Sequence, residues 1–129
     1  MGVPSDKDYE WLLTFRTRLR QFDHWSQAAA AEQGLSHAQH QLLLAVRGHH
    51  EAQGPTIGDL AAYLLVKPHT ASELAARGDA LGLVARVRDA ADSRVVRVQL
   101  TQEGQDRLTR LTTVHLAELR ALAPLLEDL

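Results

Sequence analysis

The chain contains no cysteine. That one absence removes disulfide staples, thiolate metal ligands, a cysteine nucleophile and thiol-based redox sensing. Aromatic residues make up only 5%, two each of Trp, Tyr and Phe, so the core has to be built from aliphatic side chains. Apolar stretches such as Leu42 to Val46 and Leu64 to Val66 are far shorter than the roughly 20 residues that cross a bilayer, and no membrane partner is expected. Neither sign of charge dominates: 14 Lys and Arg stand against 16 Asp and Glu, a net charge of -2. This argues against a histone-like coat of positive charge, so any contact with nucleic acid has to be local. Met1, Gly2, Val3, Pro4, Ser5 and Asp6 lack the basic and apolar regions of a secretory signal, which sets the expectation of a cytoplasmic protein. No nucleophile elbow, phosphate-cradling glycine loop or readable carboxylate pair is found. The chain is therefore read as non-enzymatic, with no catalytic residues and no cofactor.

What is present is 129 residues, 45% hydrophobic and 23% charged, enough for one core. Leu12, Phe15, Leu19 and Phe22 recur at offsets of three, four and three, which predicts one long helix from Asp6 to about Ala31. Gly34 is a plausible stop, and Ser36 with Gln39 reads as a reciprocal cap opening a second helix to about Val46. Gly48 to Pro55 has no periodicity and reads as a loop. Thr56 with Asp59 repeats the cap and starts a short helix through about Tyr63. After a break at Leu65 to Lys67, Pro68 suits the first turn of a fourth helix reaching about Leu81. Val84 to Asp89 and Arg94 to Leu100 read as two strands of a hairpin, which has to pack on the helices to be stable. From Thr101 the helical period returns through Leu108, Leu111, His115, Leu119 and Leu122, until Pro124 interrupts it.

Short helix, tight break, second helix and hairpin together form the layout of a winged helix-turn-helix, whose second helix enters a major groove. On the fourth helix Ala71, Leu74, Ala75, Gly78 and Leu81 form the apolar stripe. His69, Thr70, Ser72, Glu73, Ala76 and Arg77 form the opposite one. Hydroxyls near a helix N-terminus suit phosphate, and Arg77 suits a phosphate or a guanine edge. Glu73 opposes DNA unless it reads a cytosine amino group or pairs with Arg77. The hairpin carries Arg86, Arg88, Arg94 and Arg97 against Asp89 and Asp92, and an arginine at its tip can enter a narrow minor groove. A solvated helix face is the competing reading of the same stripe.

The run Leu60, Ala61, then Lys67, Pro68, His69, Thr70, Ala71, Ser72, then Gly82, Leu83, Val84, then Asp89, Asp92, Ser93, Arg94, Val95, Val96, and finally Leu100, Thr101, Gly104 resembles the MarR family of bacterial transcription regulators. The detailed likeness runs from about 36 to 108. It implies a mainly α fold with a small β-hairpin wing, in which 1–35 is an N-terminal dimerisation helix, 36–100 the winged helix-turn-helix DNA-binding lobe and 101–129 a C-terminal dimerisation helix, all one intertwined domain. Arg94 matches the wing arginine of the family, and Asp92 matches the acid that braces it. Lys67, Pro68, His69, Thr70, Ser72, Glu73 and Arg77 match the recognition helix, and Arg86 and Arg88 complete the expected DNA-binding set. The implied function is a sequence-specific regulator of double-stranded DNA, a ligand-responsive repressor acting as a homodimer on a pseudo-palindromic operator. Two alternatives are a winged-helix protein-interaction module and a zinc-sensing regulator of the same fold.

The resemblance also implies a dimer interface along Leu12, Phe15, Leu19 and Phe22 with Leu116, Leu119, Leu122, Leu125 and Leu126, or else an intrachain core. Gly78 departs from the large apolar residue usual there. That sets the expectation of a fourth helix loosened or anchored three positions later by Leu81, and the C-terminal region is shorter than usual. A small aromatic or anionic effector is expected near Trp11, Phe15, Trp25, His40, Leu44 and Arg47. Seven histidines raise the question of metal, yet the His37, His40 and His49, His50 spacings do not match the helical zinc motif. His40 and His115 could meet, with Glu32 or Glu51, but no metal ligand is assigned.

Overall fold

The computed structural model describes residues 2–127, without the side chains of Leu125 and Leu126. Helix α1 (Asp6–Glu32) opens on a full capping box, in which Asp8 N donates to Ser5 Oγ at 3.2 Å and Ser5 N donates to the Asp8 carboxylate at 2.8 Å. Two otherwise unpaired amides are satisfied reciprocally. The helix ends where Leu35 N returns to Ala30 O, with Gly34 at φ +74. Its buried residues, Ser26 and Ala30, lie in the last two turns, so most of α1 is a stem standing off the core.

Helix α2 (His37–Gly48) runs through the middle of the molecule and buries Leu42, Leu43 and Val46. Its cap is only half of the expected reciprocal arrangement. Ser36 Oγ accepts from Gln39 N at 3.1 Å, but the Gln39 side chain turns inward and donates to Leu74 O at 3.4 Å. Gln39 lies on the buried face of the helix, where it ties α2 to α4. Helix α3 (Ile57–Leu64) keeps both halves of its box, Thr56 with Asp59. Leu65, in the left-handed region at φ 56, closes α3 and turns the chain into α4 (Pro68–Ala80), with Pro68 in its first turn.

Strands β1 (Val84–Arg88) and β2 (Val96–Leu100) pair antiparallel, from Val84↔Leu100 to Arg88↔Val96. Both are shorter at the tip than the valine pattern predicts, because Asp89 and Asp92 use their carboxylates to bind backbone amides of the turn. The hairpin joins helix α5 (Gln102–Arg120) through a tight knot. Thr101 Oγ1 donates to Gly82 O at 2.6 Å and accepts from Gly104 N at 3.1 Å, and Thr101 N donates to Leu83 O at 3.1 Å. A Cβ on Gly104 would run into the Leu83 carbonyl. The Gly-Leu-Val segment and the Leu-Thr-x-x-Gly segment are therefore two halves of one joint.

Three expectations fail, two in α4 and one at the C-terminus. Leu81 is no anchor: it lies at the end of α4 and is 57% exposed. Gly78 does not loosen the helix, since it is itself buried against Val84, Gln39 and Leu42 and lets α4 approach α2 and β1 more closely than a larger residue would. Pro124 is not what ends α5. That helix stops at Arg120, and Pro124 sits in the first turn of the short α6 (Ala123–Glu127), where its missing N–H costs nothing. The core is aliphatic as composition required, with Leu42, Leu43, Leu60, Leu83, Val98 and Leu111 all but fully buried.

Candidate nucleic-acid interface

Burial of Ala71, Ala75 and Gly78 rotates the other face of α4 outward, so Lys67, Pro68, His69, Thr70, Ser72, Glu73 and Arg77 are all exposed. Helices α1, α2, α3 and α5 each begin with a Ser or Thr side chain accepting a first-turn amide, whereas Lys67 makes no such bond at the start of α4. The positive end of the α4 dipole is left for an external anion. Among the described residues Glu73 and Arg77 form no ion pair, so the neutralising pair foreseen in the sequence is not made.

The wing stands beside this face. A groove of about 280 Å³ between α4 and the hairpin is lined by Ser72, Asp79, Arg86 and Arg88, with Ile57, Val87 and Val96 beneath. Arg86 Nε donates to Asp79 at 3.0 Å, fixing the base of the wing to α4, and Arg88 Nη1 donates to Ser93 O at 2.6 Å across the tip. Arg94 lies near the tip with its side chain 89% exposed. Asp92 accepts from Arg94 Nε and Nη2, both at 3.1 Å, and from Arg94 N at 3.0 Å. That fork lowers the Asp92 carboxyl below the usual carboxylate range and raises the Arg94 guanidinium above its ordinary value. A planar guanidinium held by two of its donors keeps its remaining N–H groups directed outward.

Arg97 carries the wing from within and was not singled out by the sequence reading. Arg97 Nε donates to Asp89 at 2.7 Å and Nη1 to Gly54 O at 3.0 Å, while the other Asp89 oxygen accepts from Ala91 N and Asp92 N at 2.9 Å. The side-chain bond to Arg97 is the main reason the Asp89 carboxyl is held low. The signal was present in the sequence as an acid and a base flanking the turn, but alternation alone does not say which wing cation is drawn inward and which is presented to solvent.

A second feature lies on the other side of α2. A cavity of about 300 Å³ is bounded by Phe22, Asp23 and Ser26 of α1, His37, His40, Gln41 and Leu44 of α2, and Thr112, His115, Leu116 and Leu119 of α5. Of the six residues expected to meet an effector, His40 and Leu44 line it. Trp25 packs on His115 with ring centroids 4.8 Å apart. Arg47 borders a neighbouring groove with Leu44, and Trp11 and Phe15 stack on each other at 5.2 Å, outside the lining. Phe22, Asp23, Ser26 and the α5 residues were missed because helical spacing gives a face, not which faces converge.

His115 is held on both ring nitrogens, by Ser26 Oγ and by Leu111 O, each at 2.7 Å. His40 sits 4.7 Å from it, centroid to centroid, and its buried Nδ1 has no hydrogen-bond partner among the described residues. Burial, with the nearby His115 and His37, lowers the His40 pKa from 6.5 to about 4. His40 and His115 thus meet as foreseen, but neither Glu32 nor Glu51 joins them: Glu51 lies at His49 instead.

The expected dimer stripe is only partly covered. Leu12, Leu19, Leu116 and Leu119 are exposed, while Phe15, Phe22 and Leu122 are half-buried. The Leu125 and Leu126 side chains lie outside the described residues. No described helix is long and apolar enough to cross a membrane.

Solved structures share this architecture. A MarR family protein from Bacillus stearothermophilus superposes with a TM-score of 0.80 at 19% identity, covering 94% of this chain and 82% of that one. The DNA complex of S. aureus MepR gives 0.74 at 21%, covering 87% and 81%. CouR from Rhodococcus jostii, bound to p-coumaroyl-CoA, gives 0.68 at 21%, covering 76% and 67%. No curated protein sequence matches significantly. The sequence model of the MarR family matches residues 33–95, from the end of α1 to the wing tip. Over that stretch the chain is similar to the MarR family, and it shares the fold of these solved structures.

Proposed function

We propose that this protein is a sequence-specific, double-stranded DNA-binding transcription regulator that acts as a cytoplasmic homodimer and has no catalytic activity. In this reading 36–100 is the DNA-binding lobe, and 1–35 and 101–129 form the dimerisation helices. Two copies of α4 enter successive major grooves of a pseudo-palindromic operator. Lys67, Pro68, His69, Thr70, Ser72, Glu73 and Arg77 meet DNA from α4, and Arg86, Arg88, Asp92 and Arg94 meet it from the wing. The DNA complex of the structurally similar MepR supports the choice of partner.

The observation that carries the reading is Arg94, a cation held out at the wing tip by its own carboxylate. Such a brace directs a guanidinium toward a narrow minor groove. A small aromatic or anionic effector in the cavity between α1, α2 and α5 would relieve repression, a role supported by the ligand-bound state of CouR.

The test is a salt-titrated binding assay on the protein's own upstream DNA, with Arg94→Ala in parallel. Wild-type affinity should fall steeply with salt, because phosphate contacts release counterions. The variant should bind roughly 5- to 150-fold more weakly, the range for loss of one good groove contact. Unchanged affinity would remove the wing from the mechanism. Absence of DNA binding by a folded wild-type dimer would favour a winged-helix protein-interaction module instead.

A further inference from the structure

The loop between α2 and α3 gathers a set of metal-ligating side chains that neither the wing nor the cavity uses. His49, His50 and Glu51 each offer one ligand atom, and these lie within 4.8 Å of one another. His49 Nε2 is 3.0 Å from Glu51 Oε1 and 3.8 Å from Asp59 Oδ2, and His50 Nε2 is 4.0 Å from Glu51 Oε1. We propose that His49, His50, Glu51 and Asp59 form a binding site for a divalent transition cation of the zinc class.

Three features support the assignment. The first is the spacing. N and O ligands about 2.0 to 2.2 Å from a tetrahedral zinc stand roughly 3.4 Å apart; His49, His50 and Glu51 lie within 4.8 Å of one another, with edges of 3.0 and 4.0 Å at Glu51, and Asp59 approaches the group from the His49 side at 3.8 Å. Two imidazoles with two carboxylates suit zinc far better than magnesium or calcium, which prefer all-oxygen shells.

The second is the orientation of His49. Its side chain is only 2% exposed, and its other nitrogen, Nδ1, is 2.8 Å from the Tyr63 hydroxyl. A metal-ligating histidine is usually oriented through its remaining ring nitrogen in this way. A hydroxyl can donate or accept, so Tyr63 serves the tautomer that leaves Nε2 free for a cation as well as the one that donates to Glu51.

The third is the balance between fixed and movable ligands. Asp59 is set by the α3 capping box, where Thr56 N donates to its Oδ2 at 2.9 Å, so one ligand is pre-positioned. His50 is 80% exposed and free to close on an ion held by the others. The site also adjoins the wing support. Glu51 Oε1 is 3.5 Å from Arg97 Nη1, but Arg97 keeps Asp89 and Gly54 O as closer partners, so Glu51 can turn to a cation without releasing the wing.

The experiment uses full-length protein without a polyhistidine tag. Zinc affinity is measured by competition with a chromogenic chelator, and coordination by the visible absorption of added cobalt(II). The expected result is one ion per chain, with affinity lowered about tenfold or more, the scale for damage to a metal site, in both His50→Ala and Glu51→Gln. These two residues are exposed, so the variants should keep wild-type far-ultraviolet circular dichroism. His40→Asn, at the cavity, should bind zinc like wild type. The proposal is overturned if wild type binds no zinc, if binding survives in both loop variants, or if it is lost in His40→Asn, which would place the ion beside His115. The readout does not involve DNA, so it stands or fails separately from the regulator reading.

Discussion

Replacing Gly78 with alanine sets two effects of known size against each other. Alanine inside a helix gains about 1 kcal/mol over glycine. The added methyl, however, would lie 3.0 Å from Val84 Cγ2, 3.1 Å from Gln39 Oε1 and 3.2 Å from Leu42 Cδ2. All three neighbours are buried, and Gln39 is also tied to Leu74 O. None can swing into solvent, so α4 must shift outward, and overpacking of this kind typically costs about 1 to 3 kcal/mol. Overpacking should win, leaving Gly78→Ala less stable by up to roughly 2 kcal/mol once the helix gain of about 1 kcal/mol is set against it. Gly48 is the internal reference: it ends α2 with nothing within 4 Å of its missing Cβ. Gly48→Ala should be neutral or gain up to about 1 kcal/mol. Urea unfolding at one fixed protein concentration measures both, since a dimer's stability depends on concentration. A Gly78→Ala protein as stable as Gly48→Ala would refute the claim that the glycine seats α4.

Gly104→Ala should cost more than Gly78→Ala in the same assay, toward the upper end of about 1 to 3 kcal/mol, because the obstacle is the Leu83 carbonyl rather than a side-chain tip. An equal or smaller loss would show that the joint at Thr101 is loose. His40, lowered from 6.5 to about 4, remains neutral in the folded state where the unfolded chain takes up a proton. Its contribution is therefore intact above pH 6.5 and is lost as pH falls toward 4. The decline in urea midpoint between pH 7 and pH 4.5 should flatten in His40→Asn, and an unchanged slope would exclude His40 as its source. Glutamate at both Leu116 and Leu119, exposed on α5 beside the α1 stem, should produce monomers in sedimentation velocity. A persistent dimer would place the interface elsewhere.

The elements that were legible in the sequence are those whose signal is local. The cap at Thr56, the stop at Gly34 and Pro68 in the first turn of α4 are settled by neighbours close in the chain, so element order could be read directly. The inward turn of Gln39 could not, because its partner, Leu74 O, is 35 residues away. The cavity lining could not be read for the same reason: Trp11 and Phe15 share a helical face with Phe22, yet the cavity forms only near the end of α1, where α2 and α5 converge. The zinc-class cluster was hidden as well. His49 and His50 are neighbours in sequence, but Asp59 reaches His49 only because α3 folds back on the loop.

The chain by itself determined an aliphatic, cysteine-free core, the order of helices and hairpin, and the wing motif, since these depend on composition, period and short-range hydrogen bonding. Tertiary structure decided which charges are presented to solvent and which are drawn into the wing. Arg94 and Arg97 are both arginines of one hairpin, yet one projects into solvent and the other is drawn between Asp89 and Gly54. It also decided that Gly78 is a close-packing site rather than a weak point. Both outcomes depend on what distant segments place beside a residue, which no local pattern encodes.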